Sequence, residues 1–137
     1  MTYQELKDKQ QQEVNSFPLM FAFGQKQFDE MLAKNNIRAE DIYSIGAGGY
    51  VRKTDANAMS EMFKRHKKEL SDARKQNSFL KEAFLYEMAN HEYCITFDRE
   101  EVLTACGLTE NDYQTNADIR KAWKAARNEY ATQVDNA

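Results

Sequence analysis

Residues 42–53 read Ile42-Tyr43-Ser44-Ile45-Gly46-Ala47-Gly48-Gly49-Tyr50-Val51-Arg52-Lys53. Two β-prone runs, Ile42–Ile45 and Tyr50–Lys53, flank a four-residue Gly-Ala-Gly-Gly centre, which is the pattern of a hairpin. Most of the chain around this stretch has helical periodicity, so the hairpin decides between an all-helical and an α+β fold. Just beyond it, Thr54 or Asp55 is placed to cap a long helix. Ala56, Met59, Met62, Phe63, His66, Leu70 and Ala73 recur at spacings of three and four, a single apolar stripe. The stripe predicts the chain's longest helix over about Asp55 to Gln76, with Phe63 as a core anchor. Asn77 and Ser78 allow a break, after which Phe79, Leu80, Ala83, Phe84 and Met88 carry a helical period to about Asn90.

Farther along, Tyr93 to Phe97 (YCITF) reads as a second strand. Asp98 with Glu101 makes a capping pair for a short helix that Gly107 ends. Thr109 or Thr115 caps the next segment, and Ile119, Ala122, Trp123, Ala126 and Tyr130 mark a final amphipathic helix that frays over residues 132–137. Upstream, Thr2 and Glu5 form a capping box opening a polar, peripheral helix over residues 1–16. Pro18 breaks it, Phe17 to Phe23 (FPLMFAF) reads as a buried strand or packed extended segment, and Gln25 to Asn36 returns to helix. The expected fold is a single compact, mostly helical α+β domain over residues 1–137 with a small antiparallel sheet or hairpin.

Composition narrows the function classes. Of 137 residues 42% are hydrophobic, with 8 Phe, 7 Tyr and 1 Trp, which argues for a packed core and against disorder. No apolar run approaches the roughly 18 residues of a membrane span. The polar start MTYQELKDKQQQEV lacks the apolar stretch of a signal peptide, so a cytoplasmic protein is expected. A net charge of −3 gives no general attraction to nucleic acid, but the charge is segregated. Residues 51–81 carry nine cations and four anions, while the segments before and after are acidic.

Chemical motifs are weak. Gly46-Ala47-Gly48-Gly49 lacks the Lys-Ser/Thr of a Walker loop and the third glycine of a dinucleotide fingerprint, so hairpin glycines needing positive φ explain it. His91-Glu92 has Ile95, not histidine, four residues after His91, which excludes the zinc-protease helix. Glu87, His91 and Cys94 have ligand-like chemistry but fall short of the four ligands of a structural zinc site, and a Cys-His nucleophile pair has no assignable third group. No metal and no cofactor is therefore expected. Cys94 and Cys106, each among apolar neighbours, read as small hydrophobes rather than a disulfide. Lys64, Lys67, Lys68 and Lys75 share a helical face opposite Met59, Phe63 and Leu70, a basic ridge suited to phosphates or an acidic protein surface. Arg120, Lys121, Lys124 and Arg127 repeat this on a smaller scale.

Several stretches resemble a family of small proteins of unknown function from bacteriophages and mobile elements of gut and related bacteria. The resemblance rests on Phe17-Pro18-Leu19-Met20-Phe21-Ala22-Phe23 with Gln27-Phe28, and on Ile45-Gly46-Ala47-Gly48-Gly49-Tyr50 with Lys53-Thr54-Asp55. It continues through Tyr86-Glu87, Asn90-His91-Glu92-Tyr93 and Leu103-Thr104-Ala105-Cys106-Gly107-Leu108. It spans roughly residues 17–108 and implies an accessory protein that binds host or defence components, with no catalytic residue to carry over.

No nucleophile, acid–base pair or metal set stands out, so the leading expectation is a non-enzymatic binding protein, such as a counter-defence factor, whose partner is a host or defence protein. Its contact residues would be Lys64, Lys67, Lys68 and Lys75 on the ridge, with Tyr43, Tyr50, Gly48 and Gly49 on the hairpin, since aromatics dominate interface hot spots. Two alternatives stand beside it: a nucleic-acid-binding factor using the ridge, and a small-molecule or nucleotide binder around the glycine-rich hairpin and His91. Oligomeric state is left open by the sequence.

Overall fold

The computed structural model describes residues 1–136. Among these the fold is α+β, with helices α1 (Tyr3–Ser16), α2 (Gln25–Asn35), α3 (Ala56–Ala73), α4 (Asn77–Asn90), α5 (Tyr93–Thr96), α6 (Arg99–Ala105), α7 (Glu110–Thr115) and α8 (Ala117–Asp135). Strands β1 (Met20–Phe21), β2 (Ile42–Gly46) and β3 (Gly49–Arg52) form one antiparallel sheet in the order β1-β3-β2. Backbone contacts divide the chain into two compact units, residues 1–10 with 66–137, and residues 11–65. No helix among the described residues is long and apolar enough to cross a membrane.

The larger unit is built on α4 and α8. Ile119, Ala122, Trp123, Ala126 and Tyr130 line the buried stripe of α8 at the expected spacing, and the Trp123 ring meets Phe84 of α4 edge-on at 5.2 Å. α4 buries Phe79, Leu80, Ala83, Phe84, Glu87 and Met88, so it is enclosed rather than amphipathic. Local signals set the shorter helices. The Asp98 side chain accepts the Glu101 N–H at the start of α6, and Thr109 and Asp112 form a capping box on α7. Gly107, at φ 74°, ends α6 as the Leu108 N–H reaches back to Leu103 and its own N–H to Thr104, each 2.9 Å.

The smaller unit packs α2 on one face of the sheet. Met20, Ala22, Met31 and Ile42 are its buried core, with Phe28, Leu32, Ile37 and Tyr50 around them. The hairpin forms where expected, with Ala47 and Gly48 between β2 and β3 at φ 51° and 76°. Positive φ at both central residues matches the right-handed twist of the strands.

Several expectations are corrected. Residues 93–97 form the helical turn α5, not a strand: the Ile95 and Thr96 N–H groups bond the Glu92 carbonyl and Phe97 N–H bonds that of Tyr93. Glu92 and Phe97, both left-handed at φ 51° and 50°, bracket it, and the Tyr93 ring turns inward against Trp123 at 5.6 Å. Cys94 is consequently exposed, whereas Cys106 is buried as expected. The Phe17–Phe23 run contributes only the two-residue β1, whose alternation buries Met20 and Ala22 and exposes Phe21 and Phe23. The first helix is not wholly peripheral, because Tyr3 and Leu6 enter the core. α3 stops at Ala73, three residues short, and α8, with 19 residues to its 18, is longer. α8 also runs through residue 132, where fraying was expected, to Asp135; residue 137 lies outside the described residues. Phe63 is 43% exposed at the margin of its stripe, while Met62 and His66 are buried.

Phe84, with no exposed surface, is therefore the anchor that Phe63 was expected to be. Phe84→Ala is expected to cost about 3–5 kcal/mol and Phe63→Ala less than half as much, read as paired urea denaturation midpoints. Equal losses would contradict this placement of the core.

Candidate functional site

The hairpin and the neighbouring β1 segment gather four exposed apolar side chains of the smaller unit. Tyr43 and Val51 are register partners, as are Phe21 and Gly49, and Gly49 and Val51 are two apart on β3, so these four lie on the same face of the sheet. That face is opposite the one carrying Met20, Tyr50 and Ile42, which packs on α2. Phe21 is 59%, Phe23 68%, Tyr43 51% and Ile45 39% exposed, whereas Val51 on the same face is buried. The glycines make room for Phe23 and Ile45. A Cβ on Gly48 would sit 2.5 Å from the Phe23 ring, and one on Gly49 2.9 Å from Ile45. Gly48 and Gly49 thus serve as a floor for apolar side chains. Lys53 Nζ stands 5.1 Å from the Tyr43 ring centroid, a cation at the edge of the patch.

The two tyrosines singled out by sequence separate here. Tyr43 belongs to the exposed face, whereas Tyr50 is half-buried on the other and packs against Phe28 at 5.2 Å. Phe21 and Phe23 were missed as surface residues, although the in-out alternation of Met20, Phe21, Ala22 and Phe23 signals a strand with one wet face. The basic ridge is shorter than expected. Lys64, Lys67 and Lys68 are exposed on α3, but Lys75 lies past its end. Lys64 pairs with Glu61 at 3.5 Å and Lys75 with Asp72 at 3.4 Å, both at the surface.

In the larger unit, Glu87 and His91 do come together, one helical turn apart, without Cys94. Glu87 is fully buried; its Oε1 accepts from the Tyr3 hydroxyl at 3.1 Å and from Lys7 Nζ at 2.8 Å. His91 stands between two carboxylates, with Nε2 3.2 Å from Glu87 Oε2 and Nδ1 2.8 Å from Glu101 Oε1. Cys94 instead offers its backbone N–H to the Tyr130 hydroxyl at 3.1 Å. The cavity on the Tyr3 and Lys7 side, also lined by Leu6, Gln10, Leu70 and Ala105, holds about 150 Å³. That is below the roughly 300 Å³ at which small-molecule sites begin. The arrangement braces α1, α4 and α6 against one another.

Lys7 is half-exposed but Glu87 is not, so removing Lys7 leaves a buried charge without its cation, while replacing both partners by apolar groups does not. Lys7→Met is thus expected to cost about 3 kcal/mol, and the double variant Lys7→Met/Glu87→Leu to regain more than half of it, measured by chemical denaturation. No recovery in the double variant would contradict this role for the pair.

Burial pushes the Cys106 thiol up to about 12, and burial also raises the Tyr3 phenol above its ordinary range. The folded thiol stays protonated where the unfolded one, near 8.5, ionises, so its contribution to stability is complete below about 8.5 and is lost as pH rises towards about 12. Between about pH 8.5 and 10, before unfolded tyrosines ionise, Cys106→Ala should flatten the fall of unfolding free energy with pH. An unchanged slope would contradict it.

No curated protein and no solved structure matches the chain. A family model does match, over residues 2–129, and covers both units nearly throughout. The chain belongs to the family it describes, a family of unknown function designated DUF7659.

Proposed function

We propose that the protein is a non-enzymatic docking factor whose three-stranded sheet binds another protein. The observation that carries this reading is the exposed set Phe21, Phe23, Tyr43 and Ile45 on the sheet, with Phe23 and Ile45 seated on Gly48 and Gly49. Large apolar side chains gathered on one face favour burial against a partner. Lys53 beside Tyr43 adds a charge to the rim, so the complementary surface is apolar with a carboxylate at its edge.

A single-stranded nucleic acid would also stack on exposed aromatics, but it calls for a positively charged groove along its backbone. Residues 11–65 carry seven cations and seven anions, which favours a protein. The resemblance to small phage and mobile-element proteins supports a host or defence protein as the partner, met in the bacterial cytoplasm, with counter-defence as the biological role.

The test is to identify a nuclease-resistant partner from bacterial lysate, purify it, and measure its affinity for wild type and for Phe21→Ser/Tyr43→Ser. The expected result is a loss of about tenfold or more with an unchanged melting temperature. Undiminished affinity would overturn the reading. So would capture that nuclease abolishes and that charge reversal at Lys64, Lys67 and Lys68 removes, since that is nucleic-acid binding through α3.

A further inference from the structure

β1 lies at the edge of the sheet, and its backbone hydrogen bonds fix where its polar groups point. The Ala22 N–H donates to the Gly48 carbonyl at 2.9 Å, which makes Ala22 and Gly48 a hydrogen-bonded pair. Hydrogen-bonded and non-bonded pairs alternate along an antiparallel ladder. Met20 opposite Tyr50 is then bonded, Phe21 opposite Gly49 is not, and the Phe21 N–H and C=O turn away from β3. They face a groove of about 490 Å³ between β1 and α2. Leu19, Met20 and Phe21 form one wall; Gln27, Glu30, Met31 and Lys34, one stripe of α2, form the other.

The next outward-facing amide shows what this edge accepts. The Phe23 N–H donates to the side-chain oxygen of Gln27 at 2.8 Å, so a carbonyl from α2 holds the place that a neighbouring strand's carbonyl would take. An open strand edge beside a helix recognises extended backbone, and the side chains of alternate residues are read by the helix and the sheet face.

We propose that the groove between β1 and α2 takes an extended peptide segment, which joins the sheet as a fourth strand beside Phe21. This deepens the docking reading above and rests on it: the partner's contacting element is a strand. Alternate residues of the segment turn towards α2, where buried Met31 takes an apolar side chain and Glu30 and Lys34 take polar or charged neighbours. The others continue the exposed face next to the Phe21 ring. Binding displaces Gln27 from the Phe23 amide.

The experiment selects a random peptide library against the whole protein and synthesises the most enriched sequence with N-methylation at each residue in turn. Methylation at alternate positions is expected to weaken binding about tenfold or more and at the intervening positions to be tolerated, because only every second amide faces the edge. Amide shifts should centre on residues 19–23 and on α2. Gln27→Ala, which leaves the Phe23 amide to the incoming strand, should tighten binding about fivefold, an effect that unfolding cannot mimic. Failure to enrich any peptide, tolerance without alternation, or weaker binding to Gln27→Ala would each overturn the groove. The charge swap Glu30→Lys/Lys34→Glu separates the two proposals. A purified protein partner that this swap leaves bound, yet Phe21→Ser/Tyr43→Ser releases, upholds the docking face and rejects the groove.

Discussion

A carboxylate without exposed surface is costly to bury, and Glu87 sits in the core of the larger unit. Desolvating such a charge costs several kcal/mol unless other groups replace water's hydrogen bonds. Tyr3 and Lys7 supply two from α1, and His91 faces the second oxygen from the end of α4, itself held by Glu101 of α6. Apolar contacts tolerate small slides of one helix on another, but a hydrogen-bonded charge does not. The register of α1 and the approach of α6 therefore follow from one side chain, and the packing of Phe84 and Trp123 surrounds an arrangement already fixed in position.

The smaller unit obeys a different logic. Its sheet has one face closed by α2 and another that exposes Phe21, Phe23, Tyr43 and Ile45 around a buried Val51, and just past its short edge strand the Phe23 amide is covered by a glutamine rather than by another strand. Proteins commonly blunt exposed edges with charge, proline or a covering loop. Here Pro18 stands ahead of β1 on one side, and Gln27 occupies the Phe23 amide just past its other end. A side chain of that kind keeps the edge quiet in the free protein and gives way to a better acceptor, which a proline or a bulge cannot do.

What the sequence disclosed was whatever is decided locally. The caps at Thr2, Asp98 and Thr109, the stop at Gly107 and the glycine-centred hairpin depend on residues within a few positions of one another, and each was legible. Residues 93–97 were misread because β-branched and aromatic composition predicts a strand only where a neighbouring strand can pair with it. Tyr93 found its partners in Trp123 and Tyr130 instead, and the backbone closed on itself. Glu87 was noticed only as a potential ligand; its burial depends on Tyr3, 84 residues away, which no local pattern encodes. The exposed Phe21 and Phe23 were hidden by their own hydrophobicity: apolar runs read as interior unless the alternation of Met20 and Ala22 is weighed against them.

The two cysteines end in opposite environments, Cys94 exposed on α5 and Cys106 sealed beneath the end of α6. A thiol reagent added to the folded chain thus meets one site, and the wild-type protein accepts a single fluorophore or spin label without prior cysteine removal. The second thiol becomes reachable only when the α6 end of the core opens. The delay between first and second modification is then a built-in stopwatch for that opening, kept by the protein's own sequence.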